Sequence, residues 1–368
     1  MKKVMIFSSV HPYDDSRVFH KEAVSLAKAG YQVELHAVAD FAHKEEQGVQ
    51  IFGLKRRSRW KRIVSGYELY QRAKQSDADI FHFHDPELLP WGYLLHRKTG
   101  KPVIYDAHED LPKQIYTKPW IPKLFRGIVS KLVKVVEKGL AKRLTAVVTV
   151  VESIEKRFKQ GGVKRVELIK NYPLFLPGIE KQEDSVNRIL YVGGISYLRG
   201  YKEMIQMMDY IPEHLNAELH LIGPLQYIKE EDRNEDELRK KNIYLHGRIP
   251  FHDVQKWYAK GKIGLVCLHP AENYLHALPI KLFEYMAMGL PQIVTDIPLW
   301  RKIVESSESG LTVDVRNPKE IAAKVTQLLE DDELYKKMSQ NSRKAFEEKY
   351  NWRTEEKRLI KLYEELTS

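Results

Sequence analysis

One cysteine in 368 residues, Cys267 within the apolar run IGLVCL, leaves no intrachain disulfide and no thiolate metal cluster. It fits a reducing compartment. With no His or Lys beside it in that run, it reads as a buried strand residue rather than a nucleophile. Long apolar stretches are equally scarce, and none approaches the roughly 20 residues needed to span a bilayer. The opening MKKVMIFSSVHPYDD has too short an apolar core for a signal peptide and reads as a first strand. Together these absences predict a cytoplasmic protein, free or held peripherally on the inner face of a membrane. No G-x-G-x-x-G and no Walker lysine motif occurs, which counts against dinucleotide and P-loop chemistry. Low-complexity tracts and short-period repeats are also missing.

What is present is a globular composition, 43% hydrophobic and 30% charged, at a length that predicts two domains. The net charge of +10 calls for an anionic partner: nucleotide phosphate, nucleic acid or acidic lipid.

Short apolar runs alternate with helix-length segments along most of the chain. KVMIFSS, QVELHAV, VQIFGL, DIFHFHD, PVIYDAH, AVVTVV and VELIKN read as strands in the first half, with helices such as RVFHKEAVSLAKAG between them. Their near-continuous Val, Ile and Leu content marks parallel strands covered on both faces. Residues 171–187, NYPLFLPGIEKQEDSVN, have the composition of a linker. A second set follows, RILYVGG, AELHLIG, NIYLHGR, IGLVCL, PQIVTD and GLTVD, and from Pro318 onward only helices are expected. The expected fold is α/β, two doubly wound Rossmann-like domains facing each other across a cleft. The expected boundaries are 1–175 and 176–345, with 346–368 a helix returning to the first domain.

Ligands of open α/β sheets bind beyond the carboxyl ends of the strands, so the residues just after each strand are the candidates. In YVGGISYLRGYKEMI, Gly193 and Gly194 let the backbone approach a ligand, and a helix starting near Gly200 offers free N–H groups. Arg199 stands at its start as a fixed positive charge; Lys202 lies one turn further. In PIKLFEYMAMGLPQIVTD, Pro279 suits a helix start and Gly289 with Pro291 its stop. Lys281, Glu284, Tyr285 and Met288 share one stripe of that helix, which either carries a solvent-side ion pair or faces a ligand.

In the first half, FHFHDP and YDAHED place His82, His84, Asp85, Asp106, His108 and Glu109 near one sheet edge. Their spacing fits no H-E-x-x-H motif, and no metal is expected. Hydrogen-bonded strand-end histidines are the alternative to a catalytic role for His84. Asp15 or Ser16 reads as the cap of the first helix, whereas Arg17 has no evident structural role and is a ligand candidate. Two basic features remain: residues 55–62, KRRSRWKR, and the 118–143 region. There Leu124, Ile128, Leu132 and Val136 share one half of a helix, opposite Lys123, Arg126, Lys131, Lys134, Lys138 and Lys142. For this helix alone, packing of the apolar half on the sheet is expected. Both features together suggest a patch for anionic lipid. No interleaved aromatic platform or groove-reading motif points to nucleic acid.

At YVGGISYLRG together with PIKLFEYMAMGLPQIVTD, the sequence resembles family 4 of the retaining nucleotide-sugar glycosyltransferases, which have the GT-B fold. HPYDDSRVFHKEAVSLAKAGYQVEL, YDAHE, KNYP and HGRIP extend the resemblance over the whole chain. It implies an acceptor-side first domain and a donor-binding second domain. Glu284 is similar to the glutamate that holds the donor ribose, Arg199 to the basic residue on the diphosphate, and His108 to a histidine close to the transferred sugar. Arg248 and Ile249 match the segment bordering the nucleobase. Arg17, His84 and Asp85 fall on the acceptor side, and Lys281 joins the positive field on the diphosphate.

Two positions depart from the family pattern. His276 stands where a second glutamate often grips the sugar, and Gly194 where an arginine is common. The resemblance implies transfer from a nucleotide sugar, UDP- or GDP-linked, to a glycan, polysaccharide or lipid-linked acceptor, with no metal cofactor. A sugar-nucleotide epimerase or hydrolase on the same fold, and a non-catalytic membrane-surface scaffold, are the rival readings.

Overall fold

A computed structural model describes residues 1–118, 120–174, 181–182, 185–272 and 274–367. The chain forms two compact units, Met1–Asn171 with Trp352–Ser368, and Tyr172–Asn351. The composition placed the divisions at 175 and 345. The first of these positions, and much of the 171–187 segment, lies outside the described residues.

The first unit is built on eight strands: β1 (Lys3–Pro12), β2 (Gln32–Val38), β3 (His43–Glu46), β4 (Val49–Leu54), β5 (Ile80–Phe83), β6 (Val103–Ala107), β7 (Ala146–Thr149) and β8 (Val166–Leu168). Their order is β3-β4-β2-β1-β5-β6-β7-β8, parallel except for the β3–β4 hairpin. β3 is the strand that apolar patterning does not reveal, because HKEE is entirely polar and lies at the sheet edge. Central strands are buried throughout, as in IFHF of β5 and VIYDA of β6. That burial is the signature of a sheet covered on both faces.

The second unit carries β9 (Asn187–Val192), β10 (Ala217–Ile222), β11 (Ile243–Gly247), β12 (Ile263–Val266), β13 (Gln292–Thr295) and β14 (Gly310–Val313). All are parallel, in the order β11-β10-β9-β12-β13-β14. Winding reverses at β1/β5 in the first sheet and at β9/β12 in the second. These switch points open a crevice beyond the strand ends, and the candidate residues follow those strands.

After β14 the chain is helical, as Pro318–Glu330, Asp332–Glu348 and Trp352–Thr367. The last helix belongs to the first unit. Trp352 Nε1 donates to Ser25 Oγ at 2.9 Å, Glu355 accepts from the Lys170 N–H at 2.9 Å, and Tyr363 OH meets His82 Nδ1 at 2.8 Å. Among the described residues no helix is long and apolar enough to cross a membrane.

One expectation is reversed. In helix Arg126–Ala141 the residues turned inward are Ser130, Glu137 and Ala141. Leu124, Ile128, Leu132 and Val136, expected on the sheet, face solvent instead. Helical periodicity separates two faces but does not say which one the fold covers. Here Glu137 settles the matter, because it accepts from Tyr105 OH and Arg157 in the interior.

Candidate active site

In the second unit β9 runs into Gly193, whose φ of +123° only glycine adopts without strain. A Cβ there would come within 3.3 Å of Lys281 Nζ. The lysine ammonium thus lies directly against the glycine turn. It sits 3.3 Å from the centroid of the Tyr191 ring, buried and, among the described residues, without a hydrogen-bond partner. Burial, reinforced by the nearby Arg199 charge, holds its pKa well below the usual lysine range.

Arg199 donates through Nη1 to the Gly194 carbonyl at 3.0 Å and through Nε to Tyr274 OH at 3.2 Å. A side chain at 194 would meet Arg199 Nη1 at 2.7 Å and the Gln226 amide at 3.0 Å. The glycine that replaces the family's arginine therefore leaves room for Arg199 itself. Gly200 follows at φ +76°, and a Cβ on it would strike the Cys267 carbonyl at 2.0 Å. This close approach anchors Arg199 beside β12. The helix beyond, Tyr201–Met207, is only seven residues long, so the local positive field rests on Arg199 and Lys281 rather than on a helix dipole. Lys202 is paired with Asp232 at 3.4 Å.

Helix Ile280–Ala287 carries Lys281 and Glu284 on its partly exposed side. Tyr258 OH donates to Glu284 Oε2 at 2.7 Å, fixing the carboxylate from a neighbouring helix. Tyr285 does not join this stripe. It is buried, and its hydroxyl accepts from the Val192 N–H at 3.1 Å and donates to the Leu190 carbonyl at 3.1 Å, tying the helix to β9. Met288 is buried as well. The polar stripe therefore narrows to Lys281 and Glu284. Arg248 is exposed just past β11, Ile249 packs on the core and His276 is exposed. Tyr274, the hydroxyl on Arg199, went unnoticed in the sequence; a tyrosine in a loop carries no pattern that separates it from a surface residue.

In the first unit, Asp85, just past β5, ties onto the C-terminal half of β1. Its Oδ2 accepts from Ser8 Oγ at 2.8 Å, the Ser9 N–H at 2.5 Å and the Val10 N–H at 3.2 Å. Asp15 caps the first helix through the N–H groups of Arg17 and Val18. That helix opens in π geometry over Ser16–Ala23, which turns Arg17 and Glu22 inward. Arg17 is buried, donating to Asp106 Oδ2 at 2.6 and 3.1 Å and to the Ile169 carbonyl at 3.3 Å, and it lies 3.0 Å from Glu22. A structural role absent from the sequence reading thus accounts for it, and its guanidinium points away from solvent. Asp106, engaged by Arg17, is held well below the carboxylate range even though burial opposes this. A carboxylate pair with the exposed Glu109, which the epimerase reading needs, finds no support in that arrangement.

His108 Nδ1 lies 3.3 Å from Asp106 Oδ1, so the carboxylate orients the ring. His82 and His84 are fully enclosed, with His84 Nε2 3.3 Å from Glu22 Oε2. Glu22, His82 and His84 place ligand atoms within 4.8 Å of one another, as do His84, Asp106 and His108. The Arg17 guanidinium already supplies the positive charge between Glu22 and Asp106.

Burial lowers the His82 pKa from 6.5 to about 4. Between those values the unfolded chain binds a proton that the folded chain refuses, so stability falls as pH drops through this window. For His82 the loss amounts to about 3 kcal/mol. Glu22, whose pKa burial raises, contributes with the opposite sign, which a comparison between variants cancels. The unfolding free-energy gap between wild type and His82→Asn should therefore shrink from pH 7 to pH 4. A gap that stays constant would show that His82 titrates normally in the fold.

The profile of Glycosyl transferases group 1 matches residues 177–345, and that of Glycosyltransferase Family 4 matches residues 16–172. A protein named an uncharacterized glycosyltransferase in Methanocaldococcus jannaschii is 26% identical over 49% of this chain and 45% of its own length. The chain spans about half the length of the first two curated relatives it matches, 45% and 48%. Phosphatidyl-myo-inositol mannosyltransferase of Mycolicibacterium smegmatis is 22% identical over 79% of this chain and 72% of its own. Among solved structures, Anabaena HepE in complex with UDP aligns with a TM-score of 0.73 at 14% identity, covering 99% of this chain and 100% of that one, a likeness of fold. With one profile on each unit, and with β9 and helix Ile280–Ala287 carrying the residues that first suggested it, the chain belongs to the glycosyltransferases of group 1 and family 4.

Proposed function

We propose that the protein transfers a sugar, with retention at the anomeric carbon, from a nucleoside-diphosphate sugar to a glycan or lipid-linked acceptor in the cytoplasm. The observation that carries this reading is Lys281. A buried ammonium with no hydrogen-bond partner among the described residues is costly, and it abuts a glycine turn at a sheet switch point beside Arg199. A diphosphate would satisfy both cations. The UDP bound to the Anabaena neighbour and the lipid acceptor in the mycobacterial relative's name favour the same donor and acceptor classes.

In this reading Glu284 accepts hydrogen bonds from the ribose hydroxyls, and Arg248 and Ile249 border the base. As the glycosidic bond breaks, negative charge grows on the diphosphate, and Arg199 and Lys281 stabilise it in place of a metal. The acceptor hydroxyl attacks from the face the diphosphate leaves, and the departing phosphate oxygen takes its proton. His108, oriented by Asp106, positions the sugar and helps to exclude water. His276 lies at the sugar end, where its difference from the family glutamate bears on donor choice.

Calorimetric titration with UDP, GDP and ADP tests the reading. Saturable binding of one diphosphate, tighter than its monophosphate, is expected. Absence of binding by all three would remove the donor site and favour a non-catalytic scaffold.

A further inference from the structure

We infer that helix Arg126–Ala141 docks the first unit onto an anionic lipid bilayer, its aliphatic face entering the acyl region while its lysines meet headgroup phosphates. The inference rests on the inverted helix rather than on the donor chemistry.

A surface helix normally turns its apolar stripe to the core. Here Ser130 Oγ donates to the Pro112 carbonyl at 2.8 Å and Glu137 is enclosed, so the interior already holds the polar side. The outer side presents Leu124, Ile128, Leu132 and Val135 at 84%, 67%, 61% and 67% exposure. Such a row is larger than the scattered apolar residues of an ordinary surface. Lys131, Lys134 and Lys138 are exposed along one edge of it. Between residues 111 and 143 the sole acid is Glu137, and it faces inward. The outer face is therefore cationic and apolar, with no acid on it.

A second basic segment joins it. The Arg59 guanidinium stacks 3.4 Å from the Trp120 ring centroid, and beside it Trp60 and Ile63 are 90% and 69% exposed. Trp at the edge of an aliphatic face suits the headgroup boundary. A two-fold self-contact would set Lys131, Lys134 and Lys138 against their own copies, which like-charge repulsion opposes. Nucleic acid would satisfy the lysines but offers no apolar phase. An anionic leaflet supplies both.

The test is flotation of the full chain with vesicles of phosphatidylcholine alone or of equimolar phosphatidylcholine and phosphatidylglycerol. Wild type should float with the mixed vesicles, weakly with the neutral ones, and less as salt is raised. The pair Ile128→Asp and Leu132→Asp should lower the partition coefficient about a hundredfold. Charge reversal at Lys131, Lys134 and Lys138 should remove the preference for the anionic vesicles. All five positions are exposed, so the thermal midpoint should hold and nucleotide titration should be unchanged. Equal flotation with both vesicle types, or unchanged flotation of both variants, overturns the inference. So does a wild-type dimer that the aspartates dissociate without any vesicle binding, which would make the face a self-contact.

Discussion

Replacing Glu284 by alanine should weaken nucleoside-diphosphate binding by roughly two to three orders of magnitude, the loss of two hydrogen bonds to a charged acceptor. The fold should suffer far less. Truncation leaves the Tyr258 hydroxyl, which now donates to Glu284 Oε2 at 2.7 Å, buried without its acceptor. That costs about 1–3 kcal/mol, or a few degrees in thermal midpoint. Tyr258→Phe separates the two effects: the carboxylate stays but loses its support, so affinity should fall only severalfold. Cys267→Ser is the contrasting control. Burial pushes that thiol up to about 12, so it is inert at neutral pH, and the change should touch stability alone. Equal nucleotide affinity in Glu284→Ala and wild type would place the donor elsewhere.

Lys281→Met should move binding and stability in opposite directions. The ammonium is buried over Tyr191 with no hydrogen-bond partner among the described residues, so in the empty protein only the ring and the Glu284 charge offset its desolvation. Methionine keeps most of the length and removes the charge. We expect a gain on the order of 1 kcal/mol and a midpoint a few degrees higher. Diphosphate affinity should meanwhile collapse. The mechanism also has a proton signature. The empty-site pKa of Lys281 is depressed, and a bound diphosphate raises it, so binding takes up a proton between the two values. Affinity should accordingly decline as pH rises through that interval toward the ordinary lysine range. Calorimetry in buffers of different ionisation heat measures the uptake, and the methionine variant should show none. A destabilised Lys281→Met with normal binding would assign the lysine a purely structural role.

The strands were legible because burial on both faces imposes runs of Val, Ile and Leu, and glycine at 193 because the chain must turn tightly there. The polar edge strand His43–Glu46 was not, since nothing apolar marks it. Side-chain direction was the harder limit. Arg17 looked available and is consumed by Asp106 and Glu22, because the π opening of its helix rotates it inward. Tyr285 shares a helical stripe with Lys281 and Glu284 but is drawn into the core by the backbone of β9. Helix Arg126–Ala141 shows the same limit on a larger scale, since periodicity is blind to which face meets water.

The first unit is discontinuous: its final helix, Trp352–Thr367, follows the whole of Tyr172–Asn351 in the chain. On the ribosome, the second unit is therefore complete before the partners of Ser25 and His82 have been synthesised. Vectorial synthesis usually favours the N-terminal domain, but here the earlier-made sheet waits for the later-made helix. Until then Ser25 and His82 lack the Trp352 and Tyr363 groups that bond them in the finished fold. A nascent chain stalled before Trp352 should thus resist protease over 185–351 while its first 171 residues are still cut.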